Sequence, residues 1–216
     1  MEVSFSPKEL TMYRPKRYRK DDGEFIFSFI QNHSFATFIL KGENLLATHI
    51  PVLIDGDSKS WKLYSHIANH NEQLQYLKDG TEALIIFHGA NAYISSSWYK
   101  EKDISTWDYS AVHVNAVIKR QSREELENSL QLLVQKFEKE QDQPLLYEDI
   151  PAKMLEEHLP LITGFWLEPF KVEGIAKLHQ GYSEHDIKRT VNKLEKSEDA
   201  QYRKVSEDIK SENKID

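Results

Sequence analysis

The side chains best suited to binding a ligand are concentrated in residues 91–99 and 106–114. These segments read NAYISSSWY and TWDYSAVHV, and they contain two of the four tryptophans of the 216-residue chain. Aromatic rings with polar tips are favoured where a protein holds a flat, partly polar ligand or meets a partner. The density of rings therefore favours a binding surface. The alternative is that Trp98, Tyr99 and Trp107 pack in the core.

Histidines offer a second kind of chemistry. His66 and His70 are four residues apart, which is the spacing of metal ligands on a helix. His66 ends a predicted strand, however, no glutamate lies between the two as in zinc proteases, and no third ligand is evident. No metal site is therefore predicted. His113 lies within a predicted strand, either as a hydrogen-bonded strand residue or as a ligand contact.

The hydroxyls of Ser95, Ser96 and Ser97 do not resemble a catalytic site. No G-x-S-x-G nucleophile elbow surrounds them. We expect these hydroxyls to bind backbone groups, a phosphate or the edge of a ring. The chain also lacks the G-x-G-x-x-G and Walker motifs, so neither of the common nucleotide-binding folds is supported.

A basic cluster near the N-terminus has two interpretations. Its cations are Arg14, Lys16, Arg17, Arg19 and Lys20. They can pair with phosphates of DNA or of a cofactor. Alternatively, they form a solvated segment that is offset by the acids Asp21, Asp22 and Glu24.

Composition limits the classes of function. The net charge is −7, whereas a protein that coats nucleic acid is usually basic. The chain has no cysteine, which excludes disulfides, thiolate metal sites and a cysteine nucleophile. No window of 18 apolar residues is present, and the first residues do not resemble a secretory signal. We expect a cytoplasmic protein without membrane contact.

The chemistry-bearing segments lie in a strand-rich pattern. Predicted strands cover 35–40, 45–54, 61–66, 82–88, 91–96, 109–120 and 164–172. The pair 82–88 and 91–96 is either two strands or one kinked strand, and Pro51 suggests an edge or a bulge. Six or seven strands with short turns and inserted helices predict a closed or nearly closed β-barrel.

Helices are predicted between and after these strands. One follows Asp21 or Asp22, a short one covers 68–78, and another short one lies near 152–157. Ser122 and Glu125 form a capping box that opens a longer helix. Ser183 opens a final helix. Beyond Ser197 apolar residues are sparse, so a solvated helix or a frayed tail is expected.

Six motifs in the same order resemble the PaiB family of FMN-binding negative transcriptional regulators. They are found at Met12–Tyr18 (M-Y-x-P-K-x-F), His33–Thr37 (H-S-F-A-T), Ala47–Pro51 (A-T-H-L-P), Phe87–Tyr99 (F-H-G…Y-I-S-P-S-W-Y), Ser105–His113 (P-T-W-N-Y-x-A-V-H) and Glu173–Gly181 (E-G-K-x-K-L-S-Q-N). The resemblance covers about residues 12–195. Within these motifs, Ser96 stands for the family's usual Pro.

The resemblance implies a fold and a cofactor. The fold is mainly β with α: an FMN-binding split β-barrel with inserted and C-terminal helices, related to pyridoxamine-phosphate oxidases. It would form a homodimer with the flavin between the subunits. We expect a split-barrel domain at 12–182, followed by a C-terminal helix and polar tail at 183–216.

The resemblance also implies the site. Flavin contacts are expected from the second and third strands and the turn that follows: Thr48, His49, Pro51, Ser65, His66, Ala68 and Asn69. Trp98, Tyr99 and Trp107 of the partner subunit are expected to cover the ring.

One segment departs from the family pattern. The family's G-H-x-A-R-A-N-P-Q reads here as Ser65–Gln73, with Asn69 for the arginine and Glu72 for the proline. A guanidinium grips a phosphate bidentately, so Asn69 weakens that grip. Asn69, Asn71 and backbone N–H groups are the expected replacements, with His70 or Lys177 as the compensating charge.

Three functions follow from these observations. The first is an FMN-binding dimeric regulator that contacts DNA through residues 14–20. The second is a flavin-dependent oxidoreductase of the flavin reductase type, in which the flavin carries the redox chemistry. The third is a ligand-binding dimer that acts through protein partners docked on the helical tail after Ser183. A dedicated enzyme is the less favoured interpretation.

Overall fold

The computed structural model describes residues 12–101 and 103–215. The first residues of the chain, on which the expectation about a secretory signal rests, lie outside this range. Seven strands form one sheet in the order β2-β1-β5-β6-β7-β4-β3. They are β1 (Phe35–Lys41), β2 (Leu45–Pro51), β3 (Leu53–Asp57), β4 (Ser60–Ala68), β5 (Glu82–Ile94), β6 (Thr106–Arg120) and β7 (Ile162–Lys177).

Alternating burial explains why these segments form strands. In β1, Ala36, Phe38 and Leu40 are buried, and the residues between them are more exposed. The period of two places alternate side chains on opposite faces of the sheet. β1 pairs antiparallel with β2 and with β5, and β4 pairs antiparallel with β3 and β7. The predicted class, mainly β with inserted and C-terminal helices, therefore holds.

The predicted second strand is in fact two strands. β2 ends at Pro51 and β3 begins at Leu53, because the Val52 amide leaves the ladder and donates to the Ser34 carbonyl (2.7 Å). The Val52 side chain is buried. β2 and β3 are the two edges of the sheet, and no ladder joins them among the described residues. The sheet is not closed, so of the closed and nearly closed barrels that were expected, the closed one does not form.

Five α-helices accompany the strands in the described part of the chain. They are α1 (Gly23–Asn32), α2 (Arg123–Glu138), α3 (Ala152–His158), α4 (Glu184–Glu195) and α5 (Ala200–Asn213). The capping box of α2 is present: Ser122 Oγ accepts from the Glu125 amide (3.2 Å), and Glu125 Oε2 accepts from the Ser122 amide (2.8 Å). Glu125 Oε1 also accepts from the indole of Trp166 (3.0 Å). The ammonium of Lys62 lies 3.4 Å above that indole.

The helix expected at 68–78 was wrong. β4 continues to Ala68, and only a 3₁₀ helix forms at Glu72–Tyr76. The amide of Asn69 donates to the Leu161 carbonyl (2.8 Å), which ties this segment to a distant part of the chain. Asn71 then caps the 3₁₀ helix by accepting from the Gln73 amide (2.9 Å). These contacts oppose an α-helical path.

The segment after Ser197 is more ordered than expected. Asp199 caps α5, and its side chain accepts from the Gln201 amide (2.8 Å). Val205 and Ile209 lie one helical turn apart in an otherwise polar sequence, and both are fully buried. Two apolar residues at this spacing are enough to fix one face of a helix. The final segment is therefore a second helix that packs on α4.

The chain divides into two compact units. The larger unit comprises residues 23–87 and 114–172, and the smaller unit comprises the described parts of 1–22, 88–113 and 173–216. β5, β6 and β7 contribute residues to both units. The domain boundary expected at residue 183 stays a prediction.

Candidate functional site

On β2, the predicted flavin-binding residues point to both faces. Thr48 pairs with Phe38, which is fully buried, so its side chain faces the core side of the sheet. His49 faces the opposite side, is exposed, and stacks on the ring of Phe35 (6.3 Å between ring centres). A ligand on one face of β2 therefore contacts only one of these two side chains.

On β4, the Ser65 hydroxyl is engaged in a hydrogen bond within the protein, whereas the His66 ring is available to a ligand. Ser65 is buried, and its hydroxyl donates to the carbonyl of Pro51 (2.6 Å). His66 lies on the other face of the strand and is half-buried, as is Ala68. Burial lowers the pKa of His66, so its imidazole is neutral near pH 7. A neutral imidazole offers one donor and one acceptor to a ligand.

The side chain of Asn69 holds the turn rather than facing a ligand. Its Nδ2 donates to the carbonyl of Pro160 (2.7 Å), and its Oδ1 accepts from the hydroxyl of Thr163 (2.6 Å). The amide thus joins the turn after β4 to Pro160, just before β7, and to Thr163 in β7.

Asn71 and Gln73 continue this pattern. Asn71 caps the 3₁₀ helix, and its Nδ2 donates to Thr48 Oγ1 (3.1 Å). Gln73, which the sequence did not single out, is almost fully buried. Its Nε2 donates to the carbonyls of Phe38 (3.3 Å) and Leu46 (3.0 Å). Gln73 therefore clamps the 3₁₀ helix to β1 and β2.

The aromatic residues of the smaller unit fall into two groups. Trp107 is 52% exposed and meets Tyr93 edge to face (5.9 Å between ring centres). Trp98 is half-buried. Tyr99, by contrast, is only 7% exposed and packs against Tyr182 (5.2 Å). Burial raises the pKa of Tyr99. The ring of Trp107 is thus exposed and that of Trp98 is partly covered, whereas Tyr99 belongs to the core.

Lys177 is held by neighbouring groups. Its ammonium donates to the Thr106 hydroxyl and the Trp107 carbonyl (2.5 Å) and lies 3.6 Å from the carboxylate of Asp108. Its positive charge is therefore already compensated, and it is poorly placed to serve as the charge that grips a phosphate.

A buried polar cluster lies beside Lys177. Asp108 and His179 are both about 1% exposed, and Asp108 Oδ2 is 2.8 Å from His179 Nδ1. His179 Nε2 is 3.4 Å from the hydroxyl of Thr190 on α4. Sequence reasoning did not connect these residues. The available signal was that both Asp108 and His179 depart from the PaiB motifs.

The basic cluster at 14–20 is partly neutralised. Arg14 pairs with Asp21 and also contacts the carboxylate of Glu173 (3.3 Å). Lys20 pairs with Glu212 of α5 (2.6 Å). The cluster therefore presents less positive charge to a partner than its sequence suggests.

The sequence and the fold can now be compared with known proteins. Residues 12–169 match the family model described as "Putative FMN-binding domain". The chain is 30% identical over 197 residues to the protease synthase and sporulation protein PAI 2 of Bacillus subtilis, which covers 91% of this chain and 95% of that protein. The chain belongs to the PaiB family.

Solved structures share the fold of this PaiB-family chain. The FAD- and haem-binding protein of Mycobacterium smegmatis superposes with a TM-score of 0.57 at 15% identity, over 79% of each chain. The flavocytochrome Anf3 of Azotobacter vinelandii gives 0.57 at 13% identity, over 81% of this chain and 77% of its own. The predicted split-barrel fold is confirmed.

FMN is the cofactor of this PaiB-family chain. The neutral His66 offers one donor and one acceptor, which are the groups that the polar edges of a flavin ring can bond, whereas the Thr48 hydroxyl already accepts from Asn71. The turn at residues 65–73 offers fewer binding groups to the phosphate of FMN. Residues 65–73 contain no lysine or arginine, and the side chains of Asn69 and Asn71 are committed. His70 and backbone N–H groups are the donors of this turn that can hold a phosphate.

Two further observations complete the survey. No group of three or more potential ligands for a metal ion is found among residues 12–101 and 103–215. In the same part of the chain, no helix is long and apolar enough to cross a membrane.

Proposed function

We propose that this PaiB-family chain is an FMN-binding homodimer that acts as a negative transcriptional regulator. Membership of the family supports this proposal, as does the similarity to PAI 2, whose name associates that protein with protease synthesis and sporulation. The observation that carries the regulatory part is an exposed basic face on α4.

The basic face of α4 consists of His185, Lys188, Arg189, Asn192 and Lys193, all of them exposed. The opposite face of the helix is buried through Ile187, Val191 and Leu194. The spacing i, i+3, i+4, i+7 and i+8 places the exposed group on one stripe. Lysine and arginine contact phosphates, and arginine and asparagine also read base edges in the major groove. We therefore place the DNA contact on α4.

The α4 face and residues 14–20 both keep exposed cations, and the α4 face holds its cations on one regular stripe. Arg14 and Lys20 of that cluster are paired with carboxylates. On the α4 face, Lys188 also pairs with Glu184 (2.5 Å), but Arg189 and Lys193 project from the same exposed stripe. A homodimer would present this stripe twice, which suits two half-sites on a duplex.

A gel-shift experiment at low salt tests the DNA contact. The purified protein is titrated into a pool of genomic duplex fragments, and Arg189→Ala/Lys193→Ala is compared with Lys16→Ala/Arg17→Ala. We expect the α4 variant to lose about tenfold or more in affinity, because two phosphate contacts are removed. Lys204→Ala on α5 is the matched control, since Lys204 pairs with Glu207 (3.0 Å) and Asp208 (3.2 Å). A wild-type protein that gives no shift at low salt would overturn direct DNA binding.

The dimer and the flavin need their own measurements. Sedimentation velocity with and without added FMN should show a species of twice the chain mass. Titration of FMN with the protein should quench the flavin fluorescence. A purified protein that is colourless and does not quench FMN fluorescence would contradict the cofactor assignment. Steady turnover of a reduced nicotinamide with bound FMN would instead favour an oxidoreductase.

A further inference from the structure

The turn that follows β4 is where the resemblance to the family leads us to expect the phosphate of FMN. It belongs to residues 65–73, which contain no lysine or arginine. A phosphate monoester carries close to two negative charges at neutral pH, and proteins usually bind it with a guanidinium, an ammonium or several N–H donors. The N–H groups of this turn therefore decide how well the phosphate is held.

Most backbone N–H groups at residues 69–73 are already used by the protein. The amide of Asn69 donates to the Leu161 carbonyl (2.8 Å). The amide of Asn71 donates to the carbonyl of Ala68 (2.9 Å), and the amide of Gln73 donates to the side chain of Asn71 (2.9 Å). A phosphate cannot use these amides unless it displaces their acceptors.

The amides that remain are poorly suited to a dianion. They belong to His70 and Glu72, for which no acceptor is found in the described part of the chain. Glu72 carries its carboxylate next to its own N–H group, so an anion at that amide meets a like charge. Both side chains are exposed, and water screens any charge on the His70 imidazole. The turn therefore offers the phosphate the amide of His70 without a fixed positive charge.

The side-chain donors of the segment are engaged as well. Asn69 Nδ2 donates to the Pro160 carbonyl (2.7 Å). Asn71 Nδ2 donates to Thr48 Oγ1 (3.1 Å), and the hydroxyl of Ser65 donates to a backbone carbonyl of β2 (2.6 Å). A phosphate would therefore compete with bonds that the protein already makes.

The charge of the larger unit acts in the same direction. In the sequence, the acids of the smaller unit are balanced by its bases, so the larger unit, residues 23–87 and 114–172, carries the whole net charge of −7. An excess of one sign of charge lowers the local concentration of ligands of the same sign. The turn thus lies in the unit that is less favourable to a dianion.

The ring system of a flavin is better served than its phosphate. His66, near the end of β4, is half-buried and offers the edge of the ring one donor and one acceptor. A flat ring also gains binding free energy from the apolar area that it buries, and it needs no ion pair. We propose that this site recognises a flavin by its ring system and gains little from the phosphate, so that riboflavin binds about as tightly as FMN. This inference rests on the flavin-binding part of the proposed function.

A comparison of two flavins on the full-length protein tests the proposal. Riboflavin has the ring and the side chain of FMN but lacks the phosphate, and both are titrated by quenching of flavin fluorescence. We expect the two dissociation constants to agree within about threefold, whereas a bidentate guanidinium would favour FMN by about tenfold or more. Raising the salt concentration from about 20 mM to about 500 mM should not weaken FMN binding, because there is no attraction between charges to be screened.

Glu72→Lys tests whether the turn is the cause. It brings a cation to the turn, so FMN should bind about threefold tighter or more, while the affinity for riboflavin should change by less than about twofold. Glu168→Lys is the matched control, since it makes the same change of charge at an exposed position. The register Leu63↔Leu167 places Glu168 towards the opposite end of β4, about 20 Å from the turn. This control should leave the affinity for both flavins within about twofold of wild type.

Three results would overturn the proposal. FMN that binds about tenfold or more tighter than riboflavin, or that loses affinity at high salt, would show that a cation elsewhere holds the phosphate. Equal effects of Glu72→Lys and Glu168→Lys on FMN would show that the turn does not face the phosphate. If the protein quenches neither flavin, the flavin-binding part of the proposed function falls together with this inference, whereas the first two results leave flavin binding intact.

Discussion

Two polar clusters of this chain lie in segments that match family motifs, yet they are built differently. In the larger unit, Asn69, Asn71 and Gln73 use neutral amides to hold backbone and hydroxyl groups around one turn. In the smaller unit, Asp108 and His179 place ionisable groups in contact where water does not reach. Removing one of the neutral amides leaves the other contacts of the turn largely intact. Removing one member of the buried cluster instead leaves an ionisable group buried without its partner, which is far more costly.

The comparison shows what a motif match means physically. Polar residues in both segments suggest ligand contacts when only the sequence is known. Most of their hydrogen-bonding atoms instead join one part of the chain to another. The groups that are left for a ligand are therefore fewer than the motif contains, and they include His66 and Trp107.

The largest expected effect is in the buried ionic cluster. Asp108→Ala leaves Lys177 and His179 without their carboxylate, so we expect a loss of about 3–5 kcal/mol in the free energy of unfolding, measured by urea denaturation. Asp108→Asn combined with His179→Ser replaces the ionisable pair by a neutral one. That double variant should lose clearly less. A double variant as unstable as Asp108→Ala would show that the two residues do not act as a unit.

A smaller effect is expected at the clamp of the larger unit. Gln73→Ala removes both hydrogen bonds from Nε2 and leaves the carbonyls of Phe38 and Leu46 without that donor. We expect a loss of about 2 kcal/mol by the same measurement. Gln75→Ala, two residues away and exposed, serves as the control and should change stability by less than about 0.5 kcal/mol. Equal losses of stability in the two variants would show that Gln73 does not clamp the 3₁₀ helix to β1 and β2.

Asn69 tests whether the turn still serves the cofactor. Its amide is committed at both ends but exposed, so Asn69→Ala should cost only about 1 kcal/mol of stability. Because its side chain is not available to the phosphate, FMN affinity measured by fluorescence quenching should change by less than about twofold when the variant is folded. A tenfold loss would place Asn69 at the phosphate after all.

The smallest effect concerns pH. Burial lowers the pKa of His66, so the unfolded chain takes up a proton more readily than the folded one below the ordinary value of about 6.5. The stability is therefore full above that value and falls as pH decreases towards the folded-state pKa. His66→Leu should flatten the drop in melting temperature between pH 8 and pH 5.5. His113→Leu should flatten it as well, because burial also lowers the pKa of His113, with Glu173 opposing and His88 adding to that effect.

Local signals predicted much of the fold. The capping box at Ser122 predicted the beginning of α2, and the strand-like runs at 35–40 and 109–120 predicted β1 and most of β6. The failures have tertiary causes. Leu74 and Leu77 are spaced as in a helix, but the Asn69 amide bonds to Leu161, far along the chain. No local pattern contains such a contact.

The candidate site was harder to predict for the same reason. Motif matching located Lys177, but the groups that hold it lie about seventy residues earlier in the chain. An apolar groove beside α2, lined by Leu130, Val134 and Leu159 among others, was missed because its lining comes from four separate segments. Each segment shows an ordinary apolar pattern, and only their packing leaves the space between them.

Glu125 gives the larger unit a natural optical reporter. The same carboxylate caps α2 and accepts the indole proton of Trp166, while the ammonium of Lys62 lies over the ring. Fraying of the first turn of α2 would release that indole from Glu125, while Lys62, which belongs to β4, stays over the ring. The emission spectrum of Trp166 is thus coupled to the start of one helix, and the detachment of α2 from β7 can be followed by light without an added label.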